Sequence, residues 1–199
     1  MNIHFIAIGG AVMHQLALCL HRAGHKITGS DDAIYNPSRR LLAEAGLLPS
    51  SLGFHANNIP QHTDLVIAGM HAKENNAELA AARERGIKVQ SFPEFIGKEA
   101  AHKKRVVVAG SHGKTSTTAM MLHVLHTLGK TTDFLVGASV EGLPHSVQLT
   151  DAPTIIIEGD EYLSAAFDKR PKFLHYKPDV LIVTGIAWDH INVFPTFEA

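Results

Sequence analysis

A short segment at residues 109–116 combines residue types that bind phosphate. It reads Ala-Gly-Ser-His-Gly-Lys-Thr-Ser, follows an apolar run at 106–109 and precedes a predicted helix over 114–128. The first backbone N–H groups of a helix are unpaired and attract anions. Glycine lets the backbone approach phosphate oxygens, Lys114 can reach the β- and γ-phosphates, and the Thr115 hydroxyl can coordinate Mg²⁺. The predicted triphosphate-binding residues are Gly110, Ser111, His112, Gly113, Lys114, Thr115 and Ser116.

This segment departs from the general phosphate-loop pattern, which places a glycine five residues before the glycine that precedes the lysine. Val108 occupies that position, so only the shorter Gly-x-x-Gly-Lys-Thr form remains. The alternative interpretation is a glycine turn that caps an ordinary helix and leaves Lys114 in solvent.

Carboxylates follow a second apolar run. Residues 155–157 are all isoleucine, and Glu158, Asp160 and Glu161 come directly after them. Crowded carboxylates repel one another unless cations are present, and magnesium prefers oxygen ligands. We therefore predict a Mg²⁺ site here, with a solvated acidic loop as the alternative.

A further apolar run at 180–184 leads to Asp189 and His190, and a lone histidine there is more often structural than a ligand.

The chain also opens with a glycine turn. Gly9 and Gly10 end an apolar run at 3–8, and Ser30 and Asp31 follow the next predicted strand at 26–28. This arrangement is typical of a dinucleotide-binding turn with a ribose-binding acid about 20 residues further on. The full NAD pattern requires glycines at positions 7, 9 and 12, but the chain has Ala7 and Val12. A NAD-binding protein remains an alternative.

Strand and helix patterns alternate along the whole sequence, which predicts the α/β class with parallel, doubly wound sheets. Loops that follow parallel strands lie at one edge of the sheet, where ligands bind. The polar and basic stretch at 98–105 indicates a domain boundary. We predict one domain over 1–100 and a second over 101–199.

The order of these motifs resembles that of the Mur ligases over essentially all 199 residues. The resemblance implies a Rossmann-like, UDP-sugar-binding domain followed by the first part of a P-loop central domain. It also implies that the C-terminal domain of this three-domain family is absent and that the chain alone does not ligate. The implied catalytic residues are Lys114, Glu158 and His190, with Thr115, Glu158 and His190 as metal ligands. The implied UDP-sugar-binding residues are Gly9, Gly10, Ser30, Asp31 and His71.

Two later segments distinguish members of the family. Gly-Asp-Glu-Tyr at 159–162 and the segment at 167–176 resemble the member that attaches a recycled murein tripeptide to UDP-N-acetylmuramate, with ATP and Mg²⁺ as cofactors. The alternatives are the member that adds L-alanine to the same sugar nucleotide, and a nucleotide-binding module without ligase activity. Residues 168–172 are also compatible with a solvated charged turn.

The amino-acid composition limits the kinds of molecule that the chain is expected to bind. The 18 Lys and Arg residues nearly balance the 19 Asp and Glu residues, so no whole-chain field would hold nucleic acid or a membrane surface. The apolar runs are far shorter than the roughly 20 residues that span a bilayer. The single cysteine, Cys19, excludes an internal disulfide. We expect a cytoplasmic protein with small-molecule substrates, and the sequence makes no prediction of oligomeric state.

Overall fold

The computed structural model describes residues 1–188 and 195–196 and has two compact parts. Unit 1 consists of Met1–Phe95 with Leu163–Lys169, and unit 2 consists of Ile96–Tyr162 with Arg170–Ala199. Both contain strands flanked by helices, which confirms the predicted α/β class. The predicted boundary at residue 100 follows the break between Phe95 and Ile96 by a few residues, but the prediction did not place 163–169 with the first part.

Unit 1 contains a four-stranded parallel sheet with the strand order β2-β1-β3-β4. Strand β3 is buried along its whole length and β1 along all but its first residue. Continuous apolar runs of this kind suit a parallel sheet that is covered on both faces. The strands are β1 (Asn2–Ile6), β2 (Lys26–Ser30), β3 (Leu65–Ala68) and β4 (Lys88–Ser91), and the helices are α1 (Ala11–Arg22), α2 (Ser38–Glu44) and α3 (Ala77–Glu84). A further helix, α4 (Phe92–Glu99), follows β4 and contains the break between Phe95 and Ile96.

Helix boundaries in unit 1 follow local chemistry. Helix α1 buries Met13, Leu16 and Leu20, which recur at helical spacing, and the chain leaves it through Gly24 at φ +89°. Asn76 caps the start of helix α3, since its side chain accepts hydrogen bonds from the N–H groups of the second and third helical residues. A short 3-10 helix, Ala56–Asn58, lies before β3.

Unit 2 contains a five-stranded sheet with the order β11-β5-β8-β6-β7. Strand β7 runs antiparallel to β6, whereas the other pairs are parallel. Strand β7 is thus an antiparallel edge strand on an otherwise parallel sheet. The strands are β5 (Lys104–Ala109), β6 (Asp133–Leu135), β7 (Val147–Gln148), β8 (Thr154–Glu158) and β11 (Val180–Val183), and α5 (Lys114–Thr127) follows β5.

The segment between β8 and β11 is also structured. It forms a two-stranded sheet of β9 (Leu163–Ala165) and β10 (Asp168–Pro171), followed by a 3-10 helix at Lys172–His175. Within the described part of the chain, every helix is too short or too polar to cross a membrane.

Candidate functional site

The predicted phosphate loop lies at the carboxyl end of β5, whose neighbours in the sheet are β11 and β8. Gly110 and Gly113 have φ values of +126° and +79°, which L side chains rarely adopt. A Cβ atom on Gly110 would lie 2.6 Å from Thr184 Oγ1 and 2.8 Å from Gly185 O. Backbone conformation and lack of space both require glycine at Gly110. No side chain caps the first N–H groups of helix α5. These groups are therefore available to bind an anion.

Residues after β11 hold this loop in place. Ser111 N donates to Gly185 O at 3.0 Å, and Ala187 N donates to Ser111 Oγ at 2.7 Å. Thr184 Oγ1 lies 2.5 Å from His112 O. The Ser111 hydroxyl is thus engaged with the chain itself. Sequence reasoning missed Thr184 and Ala187 because nothing in their residue types indicates a contact with a loop more than 70 residues earlier.

Lys114 folds back over the loop that precedes it. Its Nζ donates to Gly110 O at 2.6 Å and lies 3.0 Å from Glu161 Oε2, and its side chain is 15% exposed. Lys114 is therefore not the solvated lysine of the alternative interpretation. An incoming phosphate group would compete with Glu161 for the ammonium group.

Thr115 and Glu158 are adjacent at the same loop. Thr115 Oγ1 donates to Glu158 Oε1 at 2.8 Å, and Gly137 N donates to Glu158 Oε2 at 3.0 Å. Two of the three predicted metal ligands are thus brought together, whereas His190 lies outside the described residues. Among the residues that the structure describes, His, Cys, Asp and Glu side chains form no group of three that could hold a metal. The hydroxyl and carboxylate suit Mg²⁺, which keeps several waters or phosphate oxygens in its coordination shell.

The carboxylates after β8 have cationic partners within the protein. Asp160 Oδ2 lies 2.6 Å from Lys172 Nζ, and Glu161 pairs with Lys114. Lysine therefore offsets much of the repulsion from which the sequence argument inferred a metal ion. Crowding of the carboxylates is therefore no evidence for a metal ion here, and what supports Glu158 as a metal ligand is its position beside Thr115.

The charged segment around residues 168–172 is a strand rather than a turn, although Lys169 and Arg170 at its centre are exposed. Its first residues form β10, and Lys172 is 6% exposed. Lys172 N donates to Tyr162 O at 2.9 Å, which packs the segment against the carboxyl end of β8. Tyr176 is 1% exposed, and its pKa is raised by burial and by the negative charges of Asp160 and Glu158. The phenol stays neutral.

In unit 1, the glycine turn between β1 and α1 is fixed by an aspartate. Asp31 Oδ2 accepts from Gly9 N at 2.7 Å, and Oδ1 accepts from Asp32 N at 2.9 Å. A Cβ atom on Gly9 would lie 2.9 Å from the same Oδ2. Burial raises the pKa of Asp31, and the backbone hydrogen bond from Gly9 opposes that rise. Both carboxylate oxygens are engaged in the turn, so a ribose hydroxyl would have to share them.

Ala7 occupies the position of the first glycine in the dinucleotide pattern, and its φ of +65° is one that favours glycine. The loop at 69–71 lies beside it, since a Cβ on Gly69 would be 3.4 Å from Ala7 Cβ. His71 in this loop is exposed. The structure therefore brings together the loops that follow β1, β2 and β3.

Two buried polar residues near this turn have no signature in the sequence. His14 Nδ1 lies 2.8 Å from Gly10 O, and burial lowers the pKa of this histidine. Glu78 in the first turn of α3 accepts a hydrogen bond from Ser30 Oγ. Ser30 is 1% exposed, so the predicted sugar-nucleotide contact of its hydroxyl is already occupied by Glu78. Sequence patterns place both His14 and Glu78 on ordinary helices.

Two family models match the chain. The model described as Mur ligase family, catalytic domain, matches residues 2–104, and the Mur ligase middle domain matches residues 108–199. Together the two matches extend over both units.

The relatives that match the chain include proteins named as two kinds of ligase. The UDP-N-acetylmuramate–L-alanyl-γ-D-glutamyl-meso-2,6-diaminoheptandioate ligase of Haemophilus influenzae is 35% identical over all of this chain and 44% of its own length. The UDP-N-acetylmuramate–L-alanine ligase of Lacticaseibacillus casei is 36% identical, covering 98% of this chain and 41% of its own length. The chain thus spans less than half of each relative.

A solved structure shows the same fold. The UDP-N-acetylmuramate:L-alanyl-γ-D-glutamyl-meso-diaminopimelate ligase from Neisseria meningitides superposes with a TM-score of 0.89 at 32% identity, covering 99% of this chain and 64% of that one.

Proposed function

The chain belongs to the Mur ligase family, and on that premise we propose that it supplies the nucleotide-binding part of an ATP-dependent ligase that joins a murein tripeptide to UDP-N-acetylmuramate. The tripeptide is L-alanyl-γ-D-glutamyl-meso-diaminopimelate, recovered during peptidoglycan recycling. The observation that carries the proposal is the grouping of Lys114, Thr115 and Glu158 around one glycine loop. Each supplies a group that triphosphate chemistry needs.

Unit 2 would bind ATP. The N–H groups at the start of α5 face the loop, and Lys114 would leave Glu161 to contact the β- and γ-phosphates. Thr115 and Glu158 would hold Mg²⁺, with His190 as a further ligand. Bound Mg²⁺ offsets negative charge on the transferring phosphoryl group.

Unit 1 would bind the sugar nucleotide. Its diphosphate would lie on Gly9, Gly10 and the start of α1, with His71 on the neighbouring loop. Asp31 would orient this turn through the hydrogen bond that it accepts from Gly9 N. Ser30 would support the turn without contacting the ligand, since its hydroxyl already donates to Glu78.

The proposed reaction has two steps. A lactyl carboxylate oxygen of UDP-N-acetylmuramate attacks the γ-phosphorus of ATP, the bond to the β–γ bridging oxygen breaks, and ADP leaves. The peptide amine then attacks the carbonyl carbon of the resulting acyl phosphate, loses its proton and displaces inorganic phosphate. Lys114 would act in the first step, where positioned positive charge stabilises the transition state most strongly.

L-Alanine is the second candidate for the incoming amine, because ligases of both kinds match the chain at nearly equal identity. The tripeptide is favoured by the resemblance of the segments at 159–162 and 167–176 to the family member that uses the tripeptide. A ligation assay with both amines in competition tests this choice; it uses the whole ligase to which this chain is proposed to belong, because the chain alone is not expected to ligate. We expect the tripeptide product to dominate, and predominance of the L-alanine product would favour the second candidate.

Calorimetry on the chain tests the proposal as a whole. UDP-N-acetylmuramate and ATP with Mg²⁺ should each bind with one site per chain, and NAD should not compete with the sugar nucleotide. NAD binding without UDP-N-acetylmuramate binding would replace the ligase with a dinucleotide-binding module.

A further inference from the structure

A carboxylate in unit 1, that of Glu78, is completely buried at the start of α3. It has no contact with solvent and therefore none with a ligand in solution. We propose that Glu78 is a positioning residue of the sugar-nucleotide site, which sets the hydroxyl of Ser30 and the turn at Asp31. This inference depends on the proposed function, because it concerns the site assigned there to UDP-N-acetylmuramate.

Four donors from three other parts of the chain meet on this carboxylate. His4 Nε2 lies 3.2 Å from Oε2, and Ser30 Oγ donates to the same oxygen. Oε1 accepts from His55 N at 3.1 Å and from Asn58 Nδ2 at 2.7 Å. A carboxylate has about four acceptor positions, so Glu78 is fully satisfied.

The carboxylate is ionised despite its burial. Burial alone would raise the pKa of Glu78, but hydrogen bonds from His4, Ser30 and Asn58 outweigh it and hold the pKa below its ordinary value. The partial positive charge at the start of α3 adds to this effect. A charged acceptor makes stronger hydrogen bonds than a neutral one, so it fixes its donors more firmly.

These donors lead directly to the glycine turn. Ser30 is the last residue of β2, and its carbonyl accepts from Ile8 N at 3.0 Å. The next residue, Asp31, accepts from Gly9 N and also from Gly53 N through its own carbonyl at 2.8 Å. A continuous set of hydrogen bonds thus connects the buried Glu78 with the backbone proposed to receive the diphosphate.

Replacement by glutamine makes the inference testable, because it preserves side-chain size and removes one acceptor oxygen. The amide oxygen should turn toward His55 N, a backbone donor, and toward Asn58 Nδ2, which also donates to Gly53 O. The amide nitrogen would then face Ser30 Oγ and reverse that hydroxyl from donor to acceptor. Glu78→Gln should therefore disturb Ser30 while keeping the fold.

The experiment is calorimetric titration of UDP-N-acetylmuramate into the wild type, Glu78→Gln, Ser30→Ala and the double variant. If the disturbed turn makes one hydrogen bond fewer to the diphosphate, the Kd should rise about tenfold. We expect at least that for Glu78→Gln, and little further increase when Ser30→Ala is added, since one residue acts through the other. A purely structural defect would instead lower the fraction of molecules that bind and leave the Kd of the folded fraction unchanged.

Glu44→Gln is the matched control, because Glu44 is an exposed carboxylate in unit 1 with a side-chain exposure of 57%. It should leave the Kd unchanged.

If the wild type binds but Glu78→Gln has the wild-type Kd, or if the effects of the two variants multiply, the positioning role is wrong while the proposed function stands. If Glu78→Gln does not fold, the Kd of Ser30→Ala tests the positioning role by itself. A Kd of Ser30→Ala equal to that of the wild type would then contradict the inference. If the wild type itself does not bind UDP-N-acetylmuramate, the proposed function fails and this inference fails with it.

Discussion

The buried ion pair between Lys103 and Asp133 allows a quantitative prediction of stability in unit 2. Lys103 Nζ lies 2.8 Å from Asp133 Oδ2, and the two side chains are 3% and 0% exposed. Lys103 Nζ also donates to the carbonyls of Thr150 and Ala152, and Asp133 accepts from the Thr150 N–H and hydroxyl. The pair therefore links the start of β5, the start of β6 and the segment before β8.

Lys103→Met removes the ammonium group and keeps most of the aliphatic stem. Asp133 then stays buried without a counter-charge, and breaking a buried pair in this way costs about 3–5 kcal/mol. Asp133→Asn should cost a similar amount, because it leaves Lys103 uncompensated while the amide oxygen can still accept from Thr150. In the double variant neither charge is present, so its loss should fall short of the sum of the two single losses by roughly 0.5–3 kcal/mol.

Urea denaturation measured by tryptophan emission tests this prediction, because Trp188 is the only tryptophan and belongs to unit 2. Lys130→Met is the matched control. Lys130 is exposed, so its replacement should change the free energy of unfolding by no more than about 0.5 kcal/mol. Additive losses in the double variant, or a loss for Lys103→Met no larger than for the control, would refute the reasoning.

Two further variants have expected outcomes. Gly110→Ala should lower the free energy of unfolding by about 1 kcal/mol or more beyond Gly129→Ala, because a Cβ on Gly110 meets atoms at 2.6 Å, whereas Gly129 at φ +66° faces open space. If urea denaturation gave equal losses of unfolding free energy for Gly110→Ala and Gly129→Ala, the close contacts around Gly110 would not affect stability. The pKa of Asp179 is lowered to about 2, chiefly by the side-chain hydrogen bond from Arg105. The stabilisation from this pair should be present above the ordinary carboxyl pKa and be lost as the pH falls through about 2. NMR titration of Asp179 should show a midpoint near this value, and Arg105→Gln should raise it, so an unchanged midpoint would contradict the assignment.

The fold class could be predicted from sequence because its signals are local. The runs that became β3 and β8 are continuously apolar at their buried positions, and β1 is interrupted only by His4, as suits buried parallel strands. The glycine loops follow strand ends, where parallel sheets place their ligand-binding edges. Helix α4 and the strands β7, β9 and β10 were not predicted. Strand β7 has only two residues, which is too few to show a periodicity.

The pairings within the sites could not be predicted, because they depend on distance in space. Thr115 and Glu158 are 43 positions apart, and their contact follows from the adjacency of β5 and β8. The same adjacency explains how Glu161 reaches Lys114. Composition correctly identified the acids after β8 as a cluster, but it could not show that Lys114 and Lys172 supply counter-charges.

The surroundings of the residues proposed to bind the sugar nucleotide in unit 1 were harder to predict for a different reason. Ser30 and Asp31 lie where the sequence pattern expects ligand contacts, yet their side chains are buried and bonded within the protein. A sequence pattern identifies a loop as a candidate ligand-binding loop. The direction of the side chains in that loop depends on buried partners such as Glu78, which has no distinguishing feature in the sequence.

The most direct test of the central claim is binding of ATP with Mg²⁺ to the wild type and to Lys114→Ala. Removing a charged hydrogen-bond donor from phosphate should weaken binding by about tenfold or more. Binding of UDP-N-acetylmuramate should stay unchanged, since Lys114 lies in unit 2. Equal affinity of the wild type and Lys114→Ala for ATP with Mg²⁺ would contradict the account.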